Sequence, residues 1–334
     1  MADKLRIGLI GAGFIVKFAH MPSLKKLGER VKVPVVFSRR FEVARSFAKD
    51  NGIPEYTDSW RDVLRRSDID AVLIATPNYT HKTIAVEAAR AGKHIFLEKP
   101  IALSVEDGME IVREAEKQGV KLFVGHCLRF WPEYVRAREA VMSGAIGEPR
   151  IARAYRMSPF PRWTEWHRHR ELSGGVVIDM SIHDLDYLRW VFGDAEKVYA
   201  AGGRYTPYSY DNIDHAMAMI RFRSGVIAYV EATWTMPESF RFYTYLEIAG
   251  TKGLLTVDNH TTSTLHAYLG KESWSYGPIN RDAYYREIEA FLDWVEHGRK
   301  PPIEPEEAVK SLELALAIVK SIETSKVVEL PSPG

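Results

Sequence analysis

The sequence predicts an α/β chain of two domains: a Rossmann-type parallel sheet covered by helices, then an α+β domain with a large open, mostly antiparallel sheet. Its 334 residues exceed what one compact domain usually holds. Through the first third, short apolar runs alternate with helical patterns, which is typical of a parallel sheet. After Gly125 the pattern changes to longer strands, so we place the two domains at 1–125 and 126–334.

Composition and charge exclude several classes of protein. Hydrophobic residues make up 46% of the chain, enough for full cores, and 45 basic side chains nearly balance 44 acidic ones. We therefore expect neither nucleic acid nor a membrane as partner, and no apolar run approaches the roughly 20 residues of a membrane helix. The single cysteine, Cys127, excludes an internal disulfide, and the start of the chain has no signal-peptide pattern, so we expect a cytoplasmic protein.

The elements of the first domain follow from apolar runs and from the residues that interrupt a strand or begin or end a helix. Pro34 predicts an irregular second strand because proline lacks the N–H that a ladder needs. Gly92 suits a helix C-terminus and Ser104 suits an N-cap. The predicted strands are 5–10, 31–37, 71–75, 94–97 and 121–124, and the predicted helices are 14–27, 42–51, 80–91 and 104–118.

The second domain is predicted to combine helices with long strands. The stretch "HAMAMIRFRSGVIAYVEATW" holds two apolar runs about Ser224 and Gly225, which predicts a hairpin. Helices are predicted at 132–142, 176–191, 284–296 and 306–324, and strands at 151–156 and through most of 198–257.

The stretch "GLIGAGFIVKFAH" fills two of the three glycine positions of a dinucleotide-binding turn. Gly11 permits the tight turn and Gly13 lets the backbone approach a diphosphate, which would bind the amides at Phe14 and Ile15. Val16 occupies the third position, where glycine serves packing between helix and strand, so the turn can still bind. An ordinary glycine-rich βα turn is the alternative interpretation.

The end of the second strand bears on the choice of cofactor. NAD-binding chains usually place an acidic residue there for the ribose 2′-hydroxyl, but this strand ends in Ser38, Arg39 and Arg40. Arginine suits a 2′-phosphate because its fork donates two hydrogen bonds to a charged acceptor. We therefore predict NADP(H), with NAD(H) as the alternative if the arginines are only solvated surface residues.

Two further motifs close parallel strands at the edge where ligands bind in such sheets. "ATPNYTH" places Thr76, Pro77, Asn78 and His81 beside the expected nicotinamide. "LEKP" places Glu98 and Lys99 at the next strand end, where a cis bond before Pro100 would fix the direction of the lysine. A simple turn at Asn78 and a surface ion pair at Glu98 and Lys99 are the alternatives.

The stretch "SGGVVIDMSIHDLDYLRW" carries a carboxylate and an imidazole four residues apart. Side chains at this spacing share a helix face, so Asp179 and His183 could form a proton-transfer unit. An ion pair on a helix surface is the other interpretation.

Taken together, these motifs resemble those of the Gfo/Idh/MocA oxidoreductase family, the glucose–fructose oxidoreductase and inositol dehydrogenase group. "GKHIFLEKP", "VGHCLRFWPEY", "GGVVIDMSIHDLD" and "EIAGTKGLLTVD" occur in the expected order, from Leu5 to about Leu330. The resemblance implies Lys99, Asp179 and His183 as catalytic residues for hydride transfer between NAD(P) and a secondary or anomeric hydroxyl of a sugar or polyol. It also implies a homodimer or homotetramer formed through the second domain's sheet.

Further residues are expected near the substrate. Histidine, arginine and tryptophan offer hydrogen bonds and apolar faces for a sugar, while core packing or a solvated basic loop is the alternative for each. The candidates are His126, Arg129, Trp163, Trp166, His167 and Tyr284. We expect no metal site in the loop that contains Trp163, Trp166 and His167, because the arginines interleaved in that loop would repel a cation. Two other functions fit the same motifs: an NAD-dependent glycosidase of this fold and a non-catalytic regulator that senses a dinucleotide.

Overall fold

The computed structural model describes residues 4–278 and 282–331. The chain forms two compact units, each built from two segments. Unit 1 comprises Met1–Cys127 and Asp282–Val309, and unit 2 comprises Leu128–Arg281 and Lys310–Gly334. Within the described residues, no helix has the length and apolar character needed to cross a membrane.

Unit 1 contains a sheet and the helices that cover it. Its strands are β1 (Leu5–Ile10), β2 (Val31–Lys32), β3 (Val35–Phe37), β4 (Glu55–Thr57), β5 (Ala71–Ile74), β6 (His94–Glu98) and β7 (Leu122–Gly125). Its helices are α1 (Met21–Lys26), α2 (Phe41–Asn51), α3 (Trp60–Arg65), α4 (His81–Arg90), α5 (Val105–Gln118) and, from the later segment, α9 (Ala283–His297).

The described strands of unit 1 pair in the order β4-β3-β1-β5-β6-β7, with β2 on β1, and every pair is parallel. Strands β5 and β7 are buried throughout because helices cover both faces of the sheet. Local signals place the helices: the Ser104 hydroxyl accepts a bond of 3.1 Å from the Asp107 amide, and Gly119 ends α5 at a φ of 67°. The predicted parallel domain is therefore confirmed.

Pro34 interrupts the second strand and divides it into β2 and β3, since it offers no donor to the ladder, and this is the irregularity that the proline predicts. Two other details of unit 1 differ from the prediction. The short elements β4 and α3 were not predicted, because three or six residues give too little periodicity. The helix after the glycine turn begins as a π-helical turn over Val16–His20 before continuing as α1.

Helix α9 belongs to unit 1, whereas the sequence division placed all of 126–334 in the second domain. The reason is its aromatic face. Phe291 packs edge-on against Phe96 of β6, with ring centroids 5.8 Å apart, and against Phe123 of β7. The chain therefore returns to complete the core of its first unit, and contacts so distant in sequence leave no local signal.

Unit 2 is built on a second sheet. Its strands are β8 (Pro149–Pro159), β9 (Ala195–Gly203), β10 (His215–Phe222), β11 (Ile227–Met236), β12 (Tyr243–Gly250), β13 (Gly253–Asp258), β14 (Leu265–Leu269), β15 (Glu272–Tyr276) and β16 (Val328–Glu329). Its helices are α6 (Pro132–Met142), α7 (Arg170–Ser173), α8 (Ile182–Phe192) and α10 (Pro305–Thr324), which starts in the last residues of unit 1.

The described strands of unit 2 pair in the order β15-β14-β13-β12-β8-β11-β10-β9-β16. All pairs are antiparallel except β8 with β11, and β10 and β11 form the predicted hairpin. Burial alternates along β10, where Ala216 and Ala218 face the core while Met217 and Met219 are exposed. This period of two is what a sheet with one covered face requires, so the predicted α+β domain is also confirmed.

Candidate active site

The glycine turn of unit 1 shows why its first two glycines are needed. Gly11 has a φ of +128°, and a Cβ at that position would lie 2.3 Å from the carbonyl oxygen of Ala75. Gly13 is exposed, and a Cβ there would meet no atom within 4 Å. The turn therefore packs closely on the end of β5 while its outer side stays open, which fits the diphosphate of a dinucleotide.

Val16, the departure from the glycine pattern, is buried at the start of the π-helical turn. Such a turn is wider than an α-helical one and is frequent at functional sites. Two exposed aromatic rings, Phe14 and Phe18, lie 4.7 Å apart on the outer side of the same segment. Valine in the third position is thus part of the core, as the packing role of that position predicts.

The tip of β3 presents basic side chains to solvent. Arg39 and Arg40 are exposed, and the Ser38 amide donates to the Thr57 carbonyl at 3.2 Å. Arg40 is the N-cap of α2. Their exposure at the carboxyl end of a parallel strand agrees both with a phosphate-binding role and with solvation.

His81 is the last residue of the motif that follows β5. It is fully buried and lies against the motif that follows β6. Its Nε2 is 2.9 Å from the Thr76 carbonyl oxygen and its Nδ1 is 2.8 Å from that of Pro100. Both ring nitrogens face the main chain, so His81 fixes the loops that would hold a cofactor. Burial lowers its pKa, although the two carbonyl groups act in the opposite direction, so the ring is neutral and donates to one oxygen at a time.

The motif at the end of β6 combines a buried carboxylate with a lysine. Glu98 Oε1 accepts a hydrogen bond of 2.6 Å from His20 Nε2, and Oε2 accepts one of 3.1 Å from the Lys99 amide. Burial alone would raise the pKa of Glu98, but the bond and charge of His20 outweigh it and lower that pKa. The bond between Lys99 and Pro100 is cis. Glu98 therefore holds the main chain at Lys99 and is not a surface ion pair.

Two predicted substrate residues also belong to unit 1. His126 follows β7 and is buried, with 1% of its surface exposed. Tyr284, in the first turn of α9, meets His20 edge-on with ring centroids 5.8 Å apart. Asn78, predicted to bind the cofactor, is 4% exposed, whereas Thr76 is partly open and its hydroxyl lies 2.6 Å from that of Thr80.

In unit 2, two glycines introduce the segment that carries the predicted proton-transfer residues. Gly174 and Gly175 have φ values of +79° and +77°, and a Cβ on Gly175 would lie 2.4 Å from Asn212 Oδ1. The helix begins with a π-helical turn, Val177–Ser181, that contains Asp179 and leads into α8. Asp179 and His183 are both partly exposed, so each can meet a ligand.

His167 also belongs to this cluster in unit 2. Its Nε2 lies 3.7 Å from Asp179 Oδ2, and its Nδ1 is bonded to the Thr164 hydroxyl. The ring stacks on Trp166 at 3.7 Å, while Trp163 is 68% exposed. The geometry thus joins His167 to Asp179, a pairing that sequence spacing did not suggest. No cluster of histidine, cysteine and acidic residues suited to a metal occurs in the described ranges.

Arg129 has a structural partner that the sequence did not reveal. Its Nε and Nη2 each donate a 2.8 Å bond to Asp186, which also accepts a 3.1 Å bond from the Ser311 hydroxyl. Arg156 forms a similar buried pair with Asp184. A signal was present, because "HDLDYLRW" places two acids, Asp184 and Asp186, among the buried residues of a helix. We interpret Arg129 as a residue that holds α8 in place.

These features define a class of protein. A parallel sheet with an open glycine turn after its first strand is the architecture of a dinucleotide-binding domain, followed in this chain by an α+β domain. Residues 5–126 match the model of an oxidoreductase family with an NAD-binding Rossmann fold. Residues 134–256 match that of the GFO/IDH/MocA C-terminal domain.

Similar proteins span nearly the whole chain. The chain is 32% identical to 1,5-anhydro-D-fructose reductase from Ensifer adhaerens, over 97% of this chain and 98% of the relative. It is 29% identical to scyllo-inositol 2-dehydrogenase (NAD(+)) from Bacillus subtilis (strain 168), over 99% and 97%. GenD2 from gentamicin A biosynthesis, solved in complex with NAD, has a TM-score of 0.89 at 25% identity and covers 99% of this chain and 98% of its own. The chain therefore belongs to the GFO/IDH/MocA family of oxidoreductases, as the resemblance predicted.

Proposed function

We propose that the protein is an NAD(P)-dependent dehydrogenase or reductase acting on a secondary or anomeric hydroxyl of a sugar, a polyol or a close derivative. One observation carries the proposal: Lys99 follows β6 at the edge of the parallel sheet where the glycine turn follows β1. Ligands of such sheets bind at this edge. The names of the relatives, a reductase of an anhydro sugar and a dehydrogenase of an inositol, support this substrate class.

Each candidate residue would have its own role in the reaction. The turn at Gly11 and Gly13 would hold the cofactor, which supplies or accepts the hydride. His183 would take the proton of the substrate hydroxyl during oxidation and return it during reduction. Lys99 would donate a hydrogen bond to the same oxygen and stabilise its developing negative charge. Asp179 would orient the imidazole, and His167, 3.7 Å from Asp179, would support that carboxylate.

Turnover of single variants tests this assignment. Lys99→Ala and His183→Ala should each lower kcat by roughly 10²–10⁴-fold on a sugar or polyol that the wild type turns over, because each removes a group that acts on the reacting oxygen. Cofactor titration should show that the dinucleotide still binds to both. Near-normal turnover in both variants would contradict the assignment. Release of a sugar from a glycoside without added cofactor would instead favour the glycosidase chemistry.

For the cofactor, we infer a preference for NADP(H) over NAD(H). Support comes from Arg39 and Arg40, which are exposed at the tip of β3 where NAD-binding chains place an acid. Calorimetric titration should show that Arg39→Ala weakens NADP⁺ binding by roughly tenfold or more and leaves NAD⁺ unchanged, since a charged hydrogen bond is worth about 1.5–3 kcal/mol. Arg45→Ala, on the exposed side of α2, is the matched control. Equal effects on both cofactors would overturn the preference.

We further propose that the exposed face of the unit 2 sheet joins copies of the chain into a dimer or tetramer. Large side chains lie on one face of neighbouring strands, including Tyr199, Met219 and Ile227, which are each more than 40% exposed. Exposed large side chains grouped on one face of a sheet are typical of an interface. Light scattering after gel filtration should give a multiple of the chain mass, and Met219→Lys should lower it. A wild-type monomer at micromolar concentration would contradict the proposal.

A further inference from the structure

An acidic side chain lies in the core of unit 1 without a hydrogen-bond partner among the described residues. Glu287, in the second turn of α9, is 0% exposed. Neither carboxyl oxygen has a hydrogen-bond partner among the residues that the structure describes. An ionised carboxylate buried in this way would be strongly destabilising. The group must therefore carry a proton, or its cost must be balanced by a function.

The carboxyl group lies at the carboxyl end of β7, beside its neighbour β6. A methyl carbon placed on Gly125 would lie 3.1 Å from Glu287 Oε1 and 3.4 Å from the ring of Phe96. Gly125 is the direct partner of Glu98 in the parallel pair of β6 and β7. Directly paired residues project to the same face of a sheet, so the Glu98 side chain and the Glu287 carboxyl share one side. The missing side chain of Gly125 leaves room for this acid.

The charges around Glu287 disfavour its ionised form. Within the described residues, the charged group that acts on it is Glu98, which has the same sign, and no cation compensates. His20, from the segment before α1, is bonded to Glu98, and its ring meets Tyr284 one turn before Glu287. The other described cations packed on α9 contact partners at the ends and on the outer side of the helix, and not Glu287. These pairs are Lys26 with Asp282, Arg30 with Asp293 and Lys121 with Trp294.

We propose that Glu287 is held as the neutral acid and that it is a positioning residue for Lys99. Together, Glu98 and Glu287 carry one negative charge, and His20 keeps that charge on Glu98. Glu98 then remains free to accept the Lys99 amide, 3.1 Å away. Ionising Glu287 would place two carboxylates in one apolar site, where their repulsion would drive Glu98 away from this bond. The positioning role rests on the proposed function of Lys99, whereas the protonation state does not.

The protonation state also follows from burial. Burial first, and then the negative charge of Glu98, raise the pKa of Glu287 well above its ordinary value. The pKa of Glu98 is lowered despite its burial, because of His20. Neighbouring carboxyl groups whose pKa values are driven apart share a single charge.

Infrared spectroscopy of the full chain tests the protonation state without substrate. At pH 8 the wild type should show the carbonyl-stretch band of a protonated carboxylic acid, shifted in D₂O. Glu287→Gln should lack the band. Glu133→Gln, which removes a buried carboxyl of unit 2, should keep it. No such band in the wild type, or a band lost in the Glu133 variant instead, would overturn the neutral acid. A titration of the wild-type band gives the same answer if Glu287→Gln does not fold.

The pH dependence of turnover tests the positioning role. Glutamine has the shape and neutrality of the acid, so Glu287→Gln should keep kcat at pH 7 within about twofold, while Glu287→Ala should lower it by roughly tenfold or more, as misplacement of a reacting group does. As the pH rises, wild-type kcat should fall where the infrared band disappears, and the Gln variant should lack this fall. Superimposable profiles would overturn the positioning role. Near-normal turnover in Lys99→Ala with an intact infrared band would overturn the catalytic role of Lys99, and with it the positioning role of Glu287, while the neutral acid would stand.

Discussion

Replacing Arg129 with methionine would leave the Asp186 carboxylate buried in unit 2 without its bidentate cation. The side chains of the pair are 3% and 0% exposed, and two 2.8 Å bonds join them. Removing one partner of such a pair typically destabilises a protein by roughly 3–5 kcal/mol. For a unit of this size, each kcal/mol shifts Tm by about 2–4 °C, so we expect a fall of about 6–20 °C.

Differential scanning calorimetry measures this loss of stability, and three further variants test its cause. Asp186→Leu should destabilise unit 2 by a similar amount, although Asp186 is no candidate for substrate binding. The double replacement of Arg129 by Met and Asp186 by Leu should recover most of the loss, since buried ion pairs replaced by apolar groups are often neutral. Arg136→Met removes an exposed pair with Glu139 and should change stability by less than about 1 kcal/mol.

A different result would support the role in substrate binding that the sequence predicts for Arg129. If Arg129→Met melts at the wild-type temperature but raises KM for the substrate, the guanidinium binds ligand and the pair with Asp186 is dispensable. If both properties change, the cycle with Asp186 separates them, because only the structural loss is recovered in the double variant.

Three further variants test the packing and the buried charge. Gly175→Ala adds a methyl group 2.4 Å from Asn212 Oδ1 at positive φ and should cost roughly 2–5 kcal/mol in calorimetry, whereas Gly144→Ala, at similar φ in open space, should cost about 1–2. Tyr134→Phe removes a buried hydroxyl that forms a 3.0 Å bond and should cost about 1 kcal/mol in urea unfolding. A raised pKa means that folded Glu287 keeps a proton that the unfolded chain releases, so wild-type stability falls as pH rises between the two pKa values. Relative to Glu287→Gln the fall should reach about 1.4 kcal/mol per pH unit, and parallel stability curves at pH 5 to 8 would contradict it.

The sequence predicts the parts of the fold that local patterns determine. The strands β1, β5, β6 and β7 each contain an uninterrupted buried run without a charged residue, over 7–10, 71–74, 95–97 and 122–125, because helices cover both faces of the sheet. Helix α6 was predicted with its observed bounds because Pro132 suits a first turn. The pairing of β8 with β11 had no local signal, since parallel partners are brought together only by the tertiary fold.

Candidate site residues were found where a motif marks a strand end or a glycine turn. The glycine turn, "ATPNYTH" and "LEKP" all follow parallel strands, and there the geometry is set by topology. What each side chain contacts was harder to predict. His81 is predicted to lie beside the cofactor, and nothing in the sequence indicated that its ring also contacts the main chain of Thr76 and Pro100. Its two partners belong to different motifs, so only the folded chain identifies them.

Glu287 shows most clearly what a pattern can and cannot say. The apolar face of α9 contains Ile288, Phe291 and Leu292, and Glu287 lies four residues before Phe291 on that face. An acid on a buried stripe is a visible conflict between residue type and environment, and such conflicts mark functional positions. The sequence alone does not say what the acid faces, because Gly125 and Glu98 lie on strands more than 150 residues earlier. The pairing of those two residues turns an unexplained buried acid into a proposal about the charge that holds Lys99.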